Sequence, residues 1–172
     1  MAGLSRYLAP HEARSSVIRM VCFDILIANA DRHPSNWGIV WHSEGAAVMA
    51  PWYDHGSAFG SGLDPLRVGR YLMQGLDRFD TGFRYEIAVS PRRGRAKLRE
   101  LLEALLAMDG FLAGFQDLVG RLTDSVIRAL VESVVDREHI MTPERWRLAV
   151  DILRRRRDGI LGGAGGGFDG AA

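Results

Sequence analysis

The chain has 172 residues, ample for one hydrophobic core and short for two. Its 47% hydrophobic and 25% charged residues fit an ordinary soluble globular domain, and a formal net charge of +1 excludes a general pull on nucleic acid or acidic membranes. The single cysteine, Cys22, excludes an internal disulfide and, set in an apolar run, points to a reducing cytoplasm.

In chain order, the N-terminus lacks the basic region and long apolar core of a secretory signal. Pro10 and His11 open a predicted helix to about Ala28. Its residues from Val17 to Ile27 leave almost no polar face, so it should be central and buried. The run is interrupted by Arg19 and Asp24 and is too short to span a bilayer. Asn29 to Ser35 reads as a turn, because Pro34 disfavours helix at His33. Trp37 to Trp41 and Ala46 to Ala50 are β-competent, and the residues between them predict a hairpin with a four-residue loop, His42 to Gly45. Gly56 to Gly69 is rich in Gly, Ser, Asp and Pro and reads as a loop.

Helices are expected after the basic turn Pro91 to Arg95. Leu98, Leu101, Leu102, Leu105 and Leu106 form one stripe at helical spacing, and Phe111, Phe115, Leu118, Val119 and Leu122 a second. Thr123 or Asp124 caps a third helix carrying Val126, Ile127, Leu130, Val131 and Val134. Thr142-Pro143-Glu144 starts a fourth, ending in Arg154 to Arg157 as a solvated, dipole-matched terminus. The Gly- and Ala-rich tail, 162–172, should be disordered. The expected class is mainly α (α+β), with one small hairpin.

The chemistry concentrates on Asp31-Arg32-His33-Pro34-Ser35-Asn36 and Tyr53-Asp54-His55-Gly56. An acid, an amide five positions on, and a second acid before glycine form the acidic half of a phosphotransfer site. In that pattern the first Asp accepts the proton of the attacking hydroxyl, while Asn and the second Asp hold magnesium. The predicted hairpin brings all three to its mouth, and Mg²⁺ prefers oxygen ligands, often only one or two carboxylates plus substrate phosphates, a role that suits Asn36 and Asp54. His55 stands where the D-F-G aromatic would and should pack or bond locally. Asn29 braces the turn, Trp37, Trp41 and Trp52 cover the core and hairpin, and the Pro91 to Arg95 cluster is a solvated turn.

Phe23 to Gly38 and Ala50 to Gly60 together resemble the C-terminal lobe of HipA-like kinases, bacterial serine/threonine kinases often encoded in toxin–antitoxin operons. The resemblance implies a protein-kinase-like C-lobe over residues 1–161, with Asp31 as catalytic base, Asn36 and Asp54 as metal ligands, and Mg²⁺ and ATP as cofactors. The 18-residue step from Asn36 to Asp54 suits that family better than ordinary protein kinases. The D-R-H-x-x-N string is shared with phosphoinositide 3- and 4-kinases, where the histidine assists catalysis, a role that would fall on His33. A protein substrate or antitoxin-like partner is implied too.

One half of such an enzyme is missing from the pattern. The only lysine, Lys97, lies downstream of the motif, and only Gly3 precedes Asp31, so no phosphate-binding loop or nucleotide-gripping lysine comes first. A truncated frame, a half that pairs with a separate N-lobe, and a lobe retired from catalysis all fit. Losing one preorganised electrostatic contact costs about 3–4 kcal/mol of transition-state stabilisation, so the lobe alone should be inactive or very weak. The alternatives are a non-catalytic interaction module derived from a kinase, a lipid-kinase-like phosphotransferase, and a metal phosphohydrolase using Asp31, His33, Asp54 and His55.

Overall fold

The structure, a computed structural model, describes residues 10–43, 47–82, 84–86, 95–107, 115–116, 119–138 and 141–162. A helix with almost no polar face is stable only when surrounded, and α1 (Pro10–Leu26) takes that central place. Its Ile18, Val21, Cys22 and Ile25 share one core with α4 (Leu98–Leu106), α5 (Asp124–Glu138) and α6 (Pro143–Gly162). The predicted leucine stripe supplies Leu98, Leu101, Leu102 and Leu105, all buried. From the second stripe Phe115, Val119 and Leu122 join the core, while Phe111 and Leu118 lie outside the described residues. Thr123 caps α5 through Val126 N at 3.3 Å, and Thr142 caps α6 through Arg145 N at 3.4 Å.

Two helices occupy stretches for which no helix was predicted. Helix α2 (Pro65–Gln74) begins inside the expected loop and is followed by α3 (Asp77–Gly82). Asp64 accepts a hydrogen bond from Arg67 N at 2.9 Å and Pro65 follows it, the same cap-then-proline signal that opens α6. Gly69 in mid-helix hid it. Val68 of α2, Leu76 of the link and Phe79 of α3 meet Leu148 and Ile152 of α6 and Ala28 in a second core.

The sheets are small. Strands β1 (Ile39–Trp41) and β2 (Ala47–Met49) pair antiparallel, Ile39 with Met49 and Trp41 with Ala47. The expected four-residue loop would have paired Trp41 with Ala46, so the register differs by one residue. That slip exchanges the faces of a strand: Ile39, Ala47 and Met49 pack with Val17 and Trp37, and Val48 turns outward opposite Val40. Trp41 is exposed rather than a core cover. Strands β3 (Arg84–Tyr85) and β4 (Ala96–Lys97) form the second pair.

The arginine run is not a solvated helix end. Helix α6 continues to Gly162, and Arg156 is completely buried, 2.7 Å from Asp80 and 3.2 Å from the Tyr85 hydroxyl. Arg155 binds Asp77 and Asp80, and Arg154 and Arg157 bind Asp124. These pairs fasten α6 to α3 and to the start of α5. The expected tail beyond residue 162 and the turn Pro91–Gly94 lie outside the described residues.

Candidate functional site

Helix α1 must stop sharply for the following turn to form, and it does so without the usual glycine. Asn29 N donates to Asp24 O at 2.8 Å and Ala28 N to Ile25 O at 3.2 Å, the two bonds of a Schellman closure. Ala28 occupies its left-handed position at φ 52°. The closure directs Ala30 to Asn36 away from the core helix, and a single 3₁₀ turn, Pro34–Asn36, ends the segment. His33 caps that turn, its Nδ1 accepting from Ser35 N at 3.2 Å.

Arg32, named only as part of a motif string in the sequence, is the hub. Its guanidinium is buried and faces the carboxylate of Asp24, with Nε 2.8 Å from Oδ2 and Nη2 2.7 Å from Oδ1. Nη1 donates to the carbonyls of Asn36 at 2.5 Å and Tyr53 at 2.8 Å. Nη2 also donates to His55 Nδ1 at 3.1 Å. One side chain thus ties the segment ending at Asn36 to the segment bearing Asp54. Asp24 offered the available signal, since a carboxylate inside an apolar run needs a buried partner. Asn29 braces the same network as expected, donating from Nδ2 to Asp24 Oδ1 at 2.8 Å and accepting from the Ser57 hydroxyl. Tyr53 OH adds a bond to Ser35 O at 2.9 Å.

The predicted site residues fall on these two tethered segments. Asp31 is exposed and its carboxylate makes no hydrogen bond or ion pair to a described residue, so it does not form the Asx turn its position would allow. Asn36 is buried and its Nδ2 donates to Asp31 O at 2.7 Å. A carbonyl can only accept, so this bond fixes the amide with Oδ1 on the other side, without a hydrogen bond to a described residue. Asp54 is exposed, likewise without a hydrogen bond or ion pair to a described residue, and adopts φ 57°. His55 packs edge-on against Phe23 at 5.3 Å and receives the Arg32 bond, matching its expected local role. Trp52 also packs on Phe23, tilted by 35° with ring centroids 5.3 Å apart.

Backbone strain gathers at the same place. Among the described residues the non-glycine positions with positive φ are Ala28, Asp54 and Phe59, and Phe59 N donates to Ile27 O at 2.8 Å. Left-handed L-residues persist where the surroundings over-determine them, commonly at functional sites. Among the described residues no group of three or more His, Cys, Asp or Glu side chains is set to hold a metal. What the site offers is one carboxylate and one amide oxygen, with a second carboxylate on the adjoining turn. That donor set fits Mg²⁺, which takes oxygen and completes its shell with water and phosphate.

A sequence model of the HipA-like C-terminal domain family matches residues 1–108. No curated protein matches the chain significantly. Among solved structures it is similar to the crystal structure of a Helicobacter pylori proinflammatory kinase, CtkA, with a TM-score of 0.72 and 19% sequence identity. The alignment covers 92% of this chain and 54% of CtkA, so the chain spans about half the length of that kinase. At that identity the likeness establishes a shared kinase-like fold.

Proposed function

The chain belongs to the HipA-like C-terminal domain family, and we propose that it acts as the catalytic-side lobe of a kinase that phosphorylates a protein Ser/Thr hydroxyl. In this reading Asn36 Oδ1 and Asp54 hold Mg²⁺, and Asp31 accepts the proton of the attacking hydroxyl. His33, with Nδ1 already used as a cap, contributes its remaining ring nitrogen beside the reacting groups. Bound Mg-ATP supplies the phosphoryl group and the charge that neutralises its oxygens. The single observation that carries the reading is the Arg32 tether. It draws the Asn36 and Tyr53 backbones to one guanidinium while leaving the carboxylates of Asp31 and Asp54 uncommitted.

The nucleotide-gripping lobe is the other half of the proposal. CtkA is nearly twice as long as the matched region, and a separate or preceding N-lobe would supply the lysine and phosphate loop. One observation favours a second reading, a non-catalytic interaction module: Val40, Val48 and Trp41 are exposed on the hairpin. The phosphohydrolase reading is the weakest, because among the described residues no group of three or more His, Cys, Asp or Glu side chains is set to hold a metal. Among the described residues no helix is long and apolar enough to cross a membrane, and the reducing cytoplasm remains our proposed location.

Calorimetry with Mg-ATP on the chain joined to a HipA-type N-lobe tests the proposal. Asp54→Ala should weaken binding, and Asp31→Ala should abolish phosphorylation while binding persists. Equal binding by wild type and Asp54→Ala would remove Asp54 from the site and the kinase reading with it.

A further inference from the structure

We propose that Asp24 and Arg32 are positioning residues, a buried pair that holds the Asp54 turn in register with Asn36. A guanidinium has five N–H donors, and Arg32 uses all five. Nε and one Nη2 hydrogen go to Asp24, the second Nη2 hydrogen goes to His55 Nδ1, and the two Nη1 hydrogens go to Asn36 O and Tyr53 O. Three of the five bonds therefore end on Asn36 or on the residues immediately before and after Asp54. An ion pair that served the core alone would have no reason to spend its donors there.

Asp24 works from the other end as well. Its Oδ1 accepts from Asn29, and Asn29 accepts from Ser57, three residues beyond Asp54. The left-handed turn is thus held at residues 53, 55 and 57 by side chains that converge on one carboxylate of α1. Lysine, with three donors on a flexible stem, satisfies fewer of these acceptors and lacks the planar fork that spans both segments. The inference deepens the kinase reading and rests on it for the identity of Asn36 and Asp54 as cation ligands.

The test uses the whole ¹⁵N-labelled chain, with Mn²⁺ as a paramagnetic probe in place of Mg²⁺. Arg32→Lys should stay helical by circular dichroism, while its metal-free amide signals from Tyr53 to Ser57 shift or broaden. Broadening at Asn36 and Asp54 should then need about tenfold more Mn²⁺, the loss typical when the support of a metal ligand is removed. Ser57→Ala, which deletes only the bond to Asn29, should give a smaller loss in the same direction. Unchanged turn signals and an unchanged Mn²⁺ response in a folded Arg32→Lys chain would overturn the positioning role. If Arg32→Lys fails to fold, a Ser57→Ala chain with wild-type Mn²⁺ response would overturn it instead. A wild-type chain blind to Mn²⁺ at Asn36 and Asp54, with the turn still loosened by Arg32→Lys, would sink the cation site and leave the positioning role supported.

Discussion

Asp80 Oδ1 lies 2.7 Å from Arg156 Nη2, with both side chains sealed from solvent. The contact joins α3 to the middle of α6 and explains why an arginine run tolerates burial: the cation is matched, and Tyr85 adds a hydroxyl at 3.2 Å. Deleting one partner of such a pair strands the other. Asp80→Ala should therefore lose about 3–5 kcal/mol in chemical denaturation, whereas Asp80→Leu combined with Arg156→Met should recover most of it. A single variant as stable as wild type would show that the pair is reached by water.

Burial pushes the Tyr85 phenol up to about 12, with Arg156 pulling the other way. Below pH about 10 the phenol is protonated folded and unfolded, so its contribution is intact. As pH climbs toward 12 only the unfolded chain releases the proton, and stability falls by roughly 2–3 kcal/mol. Denaturation midpoints across that window should decline less steeply in Tyr85→Phe than in wild type.

Cys22 is 1% exposed, and burial raises its thiol to about 12. Thiolate is the reactive species, so a disulfide reagent should label the native chain slowly and the unfolded chain fast. Because it is the only cysteine, its labelling rate reports opening of the core around α1. Fast labelling without denaturant would contradict the packing of α1 against α4.

The left-handed Asp54 gives a stability–function test. Asp54→Gly removes the steric cost of φ 57° while enlarging the freedom of the unfolded chain. Stability should stay equal or rise by up to about 1 kcal/mol, while the Mg²⁺ binding proposed for the site should weaken. A marked fall in melting temperature would mean that the carboxylate supports the fold rather than the chemistry.

Much of this was legible in the sequence, and the gaps have physical causes. Helices α1, α4, α5 and α6 announce themselves by periodicity and caps, and the motif marks Asp31, Asn36 and Asp54 by residue type and spacing. Helix α2 was hidden by Gly69 and by the loop-like composition before it, although Asp64-Pro65 was a readable start. The hairpin register depended on which of Val48 and Met49 faces inward, and their alternation fits either choice. Arg154 to Arg157 read as solvated because their acids, Asp77, Asp80 and Asp124, are distant in sequence. Asp24 and Arg32 are only eight residues apart, but the five bonds of the Arg32 guanidinium depend on a turn geometry that spacing does not encode.

Arg145, near the start of α6, donates to the carbonyls of Gly60, Ser61 and Leu63 just downstream of the Asp54 turn. Leu148 and Ile152 of the same helix pack with Ala28 where α1 closes. The family match stops at residue 108, so similarity and cooperativity draw different borders. A chain cut at that border would retain every motif residue, yet it would strip the scaffolding from behind both ends of the segment that carries them.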